Sequence, residues 1–255
     1  MHTIMVLNAK GGCGKTTIST TLACYFSGRN YKTALLDYDP QQSSRRWLEL
    51  RPADRPKITT IDAARPRTGV TRTFALHTGQ ETEVAIIDTP AGVTGGQLTD
   101  LFHRADTILI PVMPSIIDYQ AVELFLKELM RLAKHKLATK RIGIVANRVR
   151  IKTRSYLALE ELASSFDIPV IATLRDTQNY SIAMESGLGI CEMKRSLTSK
   201  DDKQWQPLLS WFHEKIPYKP EPQAVTEQPL NTETESVAEA WVAESGLQSV
   251  LPFNR

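Results

Sequence analysis

Short runs of apolar residues alternate along this chain with longer stretches in which apolar residues recur every three or four positions. The first run, Thr3–Leu7, ends at a glycine-rich segment, and Ile18, Leu22 and Phe26 then follow at helical spacing. Continuous apolar runs are typical of buried parallel strands, and a period near 3.6 is typical of a helix with one face on a core. The chain is therefore predicted to begin with a strand, a loop and a helix over 16–27.

The same alternation continues through most of the chain. Five further runs predict strands, at Thr33–Asp37, Val84–Asp88, Thr107–Val112, Arg141–Asn147 and Val170–Thr173. The intervening and following stretches predict helices, at Gln42–Leu50, Gln97–Arg104, Asp118–Lys134, Ser155–Phe166, Tyr180–Glu185 and Asp201–Lys215. This alternation predicts a single-domain α/β fold with a doubly wound, mostly parallel sheet and helices on both faces.

The pattern ends after Ile216, where prolines recur in a segment rich in Glu, Thr and Gln. Such a composition predicts a flexible linker or tail, so the expected organisation is one folded domain over 1–216 and a tail over 217–255. Val237 and Trp241, with Val250 or Leu251, form a weak apolar stripe in that tail. Two interpretations of this stripe remain: a flexible segment that happens to contain a tryptophan, or a helix that docks on a partner.

Charge is unevenly distributed, although the whole chain carries only +3. The tail holds six acidic residues against Lys219 and Arg255, a balance of −4, which leaves +7 for residues 1–216. A basic body suggests an anionic partner, with ordinary solvated surface charge as the alternative. The three cysteines form no paired motif, and neither a leader segment nor an apolar run long enough to span a membrane is recognisable, so we expect a reduced, cytoplasmic protein.

The glycine-rich segment Lys10–Thr17 lies between a predicted strand and a predicted helix, which is the setting of a phosphate-binding loop. Its glycines allow backbone N–H groups to turn towards phosphate oxygens, Lys15 can reach the β- and γ-phosphates, and Thr16 can coordinate magnesium. The candidate nucleotide-binding residues are Gly11, Gly12, Cys13, Gly14, Lys15, Thr16 and Thr17. The loop therefore predicts binding of ATP with Mg²⁺.

The run Lys-Gly-Gly-Cys-Gly-Lys-Thr resembles the deviant Walker A motif of the ParA/MinD family of P-loop ATPases, with Ala9 in place of the first glycine of the ordinary motif. Three further segments resemble that family in order and spacing: Asp37–Gln41, Asp88–Gly92, and Pro111–Ser115 with Asp118. The resemblance covers residues 1 to about 195. It implies the same doubly wound fold and ATP hydrolysis.

The resemblance also implies roles for individual residues. Asp88 and Asp37 would hold magnesium together with Thr16, and Asp39 would orient the attacking water. Lys10 would cross an ATP-sandwiched homodimer to the partner subunit's nucleotide, and Asn147 would contact the adenine, with 175–178 nearby. The alternatives are that the aspartates cap loops and helix ends and that Asn147 only forms a turn.

Basic residues concentrate in three groups that can neutralise phosphates without reading a base sequence. The groups are Lys134, Lys136, Lys140 and Arg141; Arg148, Arg150, Lys152 and Arg154; and Lys194, Arg195, Lys200 and Lys203. The second group is the candidate DNA-binding site. No helix-turn-helix pattern precedes the phosphate-binding loop, so we expect non-specific DNA binding.

The resemblance implies a positioning ATPase that binds the nucleoid as an ATP-dependent dimer and is released when a ParB- or McdB-like adaptor on a cargo stimulates hydrolysis. The stretches 147–156 and 180–190 resemble the McdA branch, which distributes carboxysomes; plasmids are the other cargo. A MinD-like membrane ATPase is one alternative, although an acidic tail does not favour it. A metabolic ligase or synthetase, or an iron–sulfur protein, is another, although only Cys191 follows Asp88.

Overall fold

The computed structural model describes residues 1–64, 81–115, 119–133, 140–151 and 153–222. A compact unit spans Met1–Glu221, and a second unit, Pro222–Arg255, is described only at Pro222. Asp118, Lys134, Lys136, Lys152 and the apolar stripe around Trp241 lie outside the described residues. The flexible tail and the domain boundary after residue 216 stay predictions.

The described residues form seven strands and seven α-helices. The strands are β1 (His2–Val6), β2 (Thr33–Asp37), β3 (Thr59–Asp62), β4 (Val84–Asp88), β5 (Thr107–Val112), β6 (Arg141–Val149) and β7 (Val170–Arg175). The helices are α1 (Lys15–Ser27), α2 (Ser43–Glu49), α3 (Gly95–Arg104), α4 (Tyr119–Ala133), α5 (Arg154–Ser165), α6 (Asn179–Glu185) and α7 (Arg195–His213). A 3₁₀ turn, Ile190–Glu192, precedes α7. None of the described helices is both long enough and apolar enough to span a bilayer.

All seven strands belong to one sheet in the order β3-β2-β4-β1-β5-β6-β7. Every neighbouring pair is parallel. The carboxyl ends of the strands consequently lie along one edge of the sheet, where the loops after β1, β2, β4 and β6 meet. This edge is where a ligand binds in folds of this kind.

Side chains alternate between the two faces of β1, and each face supports its own core. Met5 and Leu7 pack into a cluster with residues of α3, α4 and α5. Ile4 and Val6 pack on the opposite face into a cluster with residues of α1 and α7. Helices thus cover both faces, and the predicted doubly wound α/β fold is confirmed.

Strand β3 was not predicted from the sequence. It has four residues and lies at the edge of the sheet, where Ile61 is buried but Thr59 and Thr60 are exposed. Because an edge strand needs few apolar side chains, its sequence contains no apolar run that would identify it. Its backbone pairing with β2, which the sequence pattern does not reveal, defines it as a strand.

Helix α7 begins at Arg195, six residues before the predicted start at Asp201. Its first turns bury two polar side chains, Thr198 and Asp201. Asp201 accepts hydrogen bonds from Arg175 Nε and Nη2 at 2.6 and 3.0 Å, so its charge is compensated inside the fold. Hydrophobic periodicity cannot detect a helix face that is buried through polar contacts.

Candidate functional site

Two glycines in the left-handed region shape the loop between β1 and α1. Gly12 has φ +74° and Gly14 has φ +96°. A Cβ atom at Gly14 would also lie 2.2 Å from Asn147 Nδ2, so only glycine fits there. Gly14 is the residue that precedes α1 and has no side chain with which to cap it. The N-terminus of α1 therefore presents its backbone N–H groups and the positive end of its dipole to an anion.

The ammonium group of Lys15 lies inside this loop. Its Nζ donates to the carbonyl oxygen of Lys10 over 2.8 Å, and the residue is buried. Cys13 is buried beside it, and burial raises the pKa of its thiol because the thiolate would lose its solvation. The thiol is thus neutral at physiological pH, and Lys15 places a positive charge within the loop.

Backbone contacts fix this loop against the neighbouring strand ends. Asn8 donates from Nδ2 to the Pro111 carbonyl over 2.7 Å, and its Oδ1 accepts from the Lys10 N–H over 3.1 Å. The N–H of Gly92 donates to the carbonyl of Ala9 over 2.7 Å. The segments that resemble three separate family motifs are therefore adjacent. Asn8 was missed from the sequence, although a polar residue directly after a buried strand is a usable signal.

Asn147 lies where the end of β6 meets the loop. Its Nδ2 donates to the Cys13 carbonyl over 2.9 Å, and its Oδ1 accepts from the N–H of Arg148 over 3.0 Å. The side chain borders a cavity of about 380 Å³ whose lining includes Gly14, Thr17, Asn147, Arg148, Asp176 and Tyr180. Of the segment 175–178, residues 176–178 line this cavity, whereas the Arg175 side chain bonds to Asp201. Contact of this segment with a base stays a prediction.

Two carboxylates end adjacent strands beside the loop. Asp88 on β4 pairs in register with Asp37 on β2, and both are buried. Burial, together with the charge of Asp37, raises the pKa of Asp88 to about 7, although the hydroxyl groups of Thr16 and Ser19 act in the opposite direction. Ser19, which the sequence did not single out, donates from Oγ to Asp88 Oδ1 over 3.2 Å.

The donor set around Asp88 fits a magnesium ion. Among the described residues, Asp88 Oδ2 is a buried oxygen without a hydrogen-bond partner. Buried polar atoms are usually paired, and Mg²⁺ prefers oxygen ligands, so an unpaired carboxylate oxygen beside an anion-binding loop suits this ion. The positive charge of a bound ion would also favour the ionised form of Asp88.

The loop after β2 holds its two aspartates in hydrogen bonds with backbone N–H groups. Asp37 accepts from the N–H of Asp39 over 2.9 Å and from that of Arg45 over 3.2 Å. Asp39 is half-buried, and its Oδ1 accepts from the N–H of Gln41 over 2.9 Å. Both residues therefore have the capping contacts that the sequence left open as the alternative, and Asp37 also lies beside Asp88.

The three basic groups differ in their surroundings. Arg141 pairs with Glu214 over 2.7 Å and stacks 4.1 Å from the ring centre of Trp211, so it is engaged in the fold. In the candidate DNA site, the three residues that the structure describes, Arg148, Arg150 and Arg154, are exposed. Arg148 also lines the cavity beside Asn147. The third group exposes Lys194, Arg195, Lys200 and Lys203 at and along α7.

The sequence is similar to known proteins over most of its length. The sequence profile described as the CobQ/CobB/MinD/ParA nucleotide binding domain matches residues 4–190. "Maintenance of carboxysome distribution protein A" from Halothiobacillus neapolitanus is 26% identical over 195 residues, which span 75% of this chain and 87% of that protein.

Solved structures with the same fold accompany this sequence match. Apo McdA from Cyanothece has a TM-score of 0.61 at 18% identity, over 82% of this chain and 99% of that one. A putative plasmid partition protein from Borrelia burgdorferi B31, bound to AMPPNP, has a TM-score of 0.61 at 16% identity, over 82% and 99% of the two chains. At such identities the likeness concerns the fold alone.

Proposed function

Because this chain belongs to the family of CobQ/CobB/MinD/ParA nucleotide-binding domains, we propose that it is an ATPase that uses ATP binding and hydrolysis to position a cargo. The observation that carries the proposal is the phosphate-binding loop with two buried carboxylates, Asp37 and Asp88, at the adjacent strand ends. A nucleotide triphosphate with a divalent ion is the ligand that complements a cationic loop beside two acids.

In this proposal, the loop binds the phosphates of ATP. Backbone N–H groups at Gly11, Gly12, Cys13, Gly14 and Thr17 surround the phosphate oxygens, together with the N-terminus of α1. Lys15 exchanges its bond with the Lys10 carbonyl for the β- and γ-phosphates. The base lies in the cavity beside Asn147, whose amide also holds the loop in place.

Thr16, Asp37 and Asp88 would hold Mg²⁺, which neutralises phosphate charge when it is bound. Asp39 leaves its bond with Gln41 and orients a water molecule towards the γ-phosphorus. The oxygen of that water forms a bond to the γ-phosphorus while the bond to the β–γ bridging oxygen breaks. ADP leaves with the bridging oxygen, and one proton of the water passes to an oxygen of the new phosphate. The role of Asp39 is to position the water, because phosphoryl transfer depends mainly on alignment and charge stabilisation.

The proposal includes a homodimer that forms with ATP, in which Lys10 reaches the γ-phosphate of the partner subunit. The dimer binds non-specific DNA through Arg150 and Arg154, with Arg148 and Lys152 in the same group, and so associates with the nucleoid. A ParB- or McdB-like adaptor protein stimulates hydrolysis and releases it. The 26% identity with a carboxysome distribution protein supports carboxysomes as the cargo, and plasmids are the other candidate.

The deciding experiment is co-sedimentation of the purified protein with non-specific duplex DNA, with Mg²⁺ and either ATP or ADP, at one salt concentration. We expect retention on DNA with ATP only. Asp39→Ala should bind ATP and DNA without turnover, Lys15→Ala should lose both, and Lys10→Ala should remain a monomer with ATP in analytical ultracentrifugation. Equal retention with ATP and ADP, no retention with either, or wild-type turnover by Asp39→Ala would contradict the proposal.

A further inference from the structure

A third carboxylate belongs to the row formed by Asp37 and Asp88. Asp62, the last residue of β3, pairs in register with Asp37. Asp37 in turn pairs with Asp88 on its other side. Residues in register on parallel strands lie on the same side of the sheet, so three acids occupy neighbouring strand ends. Asp62 lies farthest from the phosphate-binding loop and has no role in the proposed nucleotide site.

The side chain of Asp62 is bonded to the segment that follows Asp39. Its Oδ2 accepts from Gln42 Nε2 over 2.7 Å and lies 3.6 Å from Arg45 Nη1. Its Oδ1 accepts from the N–H of Ala64 over 3.2 Å, which orients the carboxylate. With 20% of its side chain exposed, Asp62 makes these bonds in a largely desolvated place, where charge-assisted bonds are strong.

Gln42 is the residue at which the loop turns into α2. Its N–H donates to the Asp39 carbonyl over 2.8 Å, and its own carbonyl accepts from Arg46 over 3.0 Å. Its φ of +54° is in the left-handed region, which residues with a side chain rarely adopt. The bond to Asp62 ties the Gln42 side chain to the end of β3, directly beside the turn that carries Asp39.

Asp62 and Asp37 hold the same segment at two adjacent points. Asp37 accepts from the backbone N–H of Arg45, while Asp62 lies beside the guanidinium of that residue. The loop between β2 and α2 is thus fixed to the ends of two strands at once. Asp39 lies in this segment, where its side chain accepts from the N–H of Gln41.

We propose that Asp62 is a positioning residue for hydrolysis, which acts through Gln42 and Arg45 on the loop that carries Asp39. The inference rests on the proposed function, because it assumes that Asp39 orients the attacking water. Gln42 and Arg45 belong neither to the phosphate-binding loop nor to the lining of the cavity beside Asn147. Loss of the Asp62 carboxylate should therefore slow the chemical step and leave nucleotide binding nearly unchanged.

The test is steady-state ATP hydrolysis by the full chain, combined with the Kd of a fluorescent ATP analogue. Asp62→Ala should lower kcat about tenfold or more while KM and Kd change less than about twofold, since misplacement of an aligning group affects mainly the reaction step. Asp62→Asn, which can still accept from Gln42, should recover much of the rate. Asp54→Ala, an exposed acid on the α2–β3 connection, is the matched control and should match the wild type.

A double-mutant comparison separates this role from general destabilisation. Gln42→Ala should reproduce the loss seen in Asp62→Ala, and combining the two should add little, because both remove the same bond. An unchanged kcat in Asp62→Ala, or a loss of ATP affinity as large as the loss of rate, would overturn the inference. So would fully additive effects of the two substitutions.

A second readout does not depend on turnover. Hydrogen–deuterium exchange of residues 38–46 in the nucleotide-free protein should be faster in Asp62→Ala, and exchange in α1 should be unchanged. If the wild type fails to hydrolyse ATP, the proposed function fails, and this exchange measurement still decides whether Asp62 holds the loop. Unchanged exchange at 38–46 would overturn the inference on its own.

Discussion

Burial and metal binding favour opposite protonation states of Asp88. Its carboxyl group is fully buried, and this burial, together with the charge of Asp37, raises its pKa to about 7. In its proposed role as a magnesium ligand, however, it has to be ionised. A bound cation would resolve the conflict by stabilising the charged form, so metal binding and the protonation of Asp88 are expected to be coupled.

The raised pKa of Asp88 predicts a pH-dependent stability. In the unfolded chain the group titrates at about 4, so between about pH 4 and 7 the native state binds a proton that the unfolded state releases. The stabilisation from this proton is complete below about pH 4 and is lost as the pH rises to 7. The free energy of unfolding of Asp88→Asn should thus be higher than that of the wild type without nucleotide at pH 8, by at most about 4 kcal/mol. Near pH 4 the two free energies should be equal.

Urea unfolding at several pH values measures this difference, in the absence of nucleotide and divalent ions. Asp54→Asn, which changes an exposed carboxyl group, is the matched control and should show no such trend. A stability difference between Asp88→Asn and the wild type that stays constant from pH 4 to 8 would contradict the assignment of the shift to burial.

At the scale of elements, an ion pair joins the end of α2 to the 3₁₀ turn before α7. Arg51 Nη1 and Nη2 donate to Glu192 over 2.8 and 2.7 Å, and the two side chains are only 5% and 10% exposed. Burial alone would raise the pKa of Glu192, but the hydrogen bonds from Arg51 hold it below its ordinary value. Arg51 also donates to the Gly187 carbonyl over 3.3 Å and thereby fixes the end of α6.

Arg51→Met should lower the free energy of unfolding by about 3–5 kcal/mol, because it leaves the Glu192 carboxylate buried without its partner. Arg46→Met, an exposed arginine on α2, should change it by less than about 0.5 kcal/mol. Denaturant unfolding at pH 7 gives both values. Adding Glu192→Leu to Arg51→Met should restore part of the loss, since no buried charge then remains; a double variant less stable than the single one would contradict this explanation.

At the scale of the whole molecule, positive charge is concentrated in residues 1–216, which carry +7 against −4 in the remainder. Two groups of exposed basic residues lie at the end of β6 and along the first half of α7. Neutralising phosphates releases counterions, so the salt dependence of DNA binding reports how many phosphates each face neutralises. The two faces can therefore be distinguished by measurement.

For the β6 face, the double substitution Arg150→Ala and Arg154→Ala should weaken DNA binding with ATP. It should also reduce the slope of log K against log salt by about 1.8, that is about 0.9 for each phosphate that is no longer neutralised. Fluorescence anisotropy with a labelled duplex between low and moderate salt gives this slope. Lys200→Ala with Lys203→Ala is the matched control on α7 and should leave the slope unchanged. A reduced slope in the α7 variant alone would assign DNA binding to that helix.

Most of the fold and the phosphate-binding loop were predictable from the sequence, because each depends on local signals. Apolar runs identified six of the seven described strands, since central parallel strands are buried on both faces. The segment Lys10–Thr17 was recognisable because the backbone turn requires glycines at fixed positions before a helix. The predicted resemblance to the ParA/MinD family is confirmed by the profile match over residues 4–190.

Tertiary structure alone decided which side chains come into contact and how their pKa values shift. Asp62 acquires its partners only when edge strand β3, which lacks an apolar run, pairs with β2. The pKa of Asp88 depends on burial by residues distant in sequence, and the buried start of α7 depends on Arg175. Local composition determines where strands, turns and helices begin, whereas burial, register and hydrogen-bond partners arise from long-range packing, which no short segment encodes.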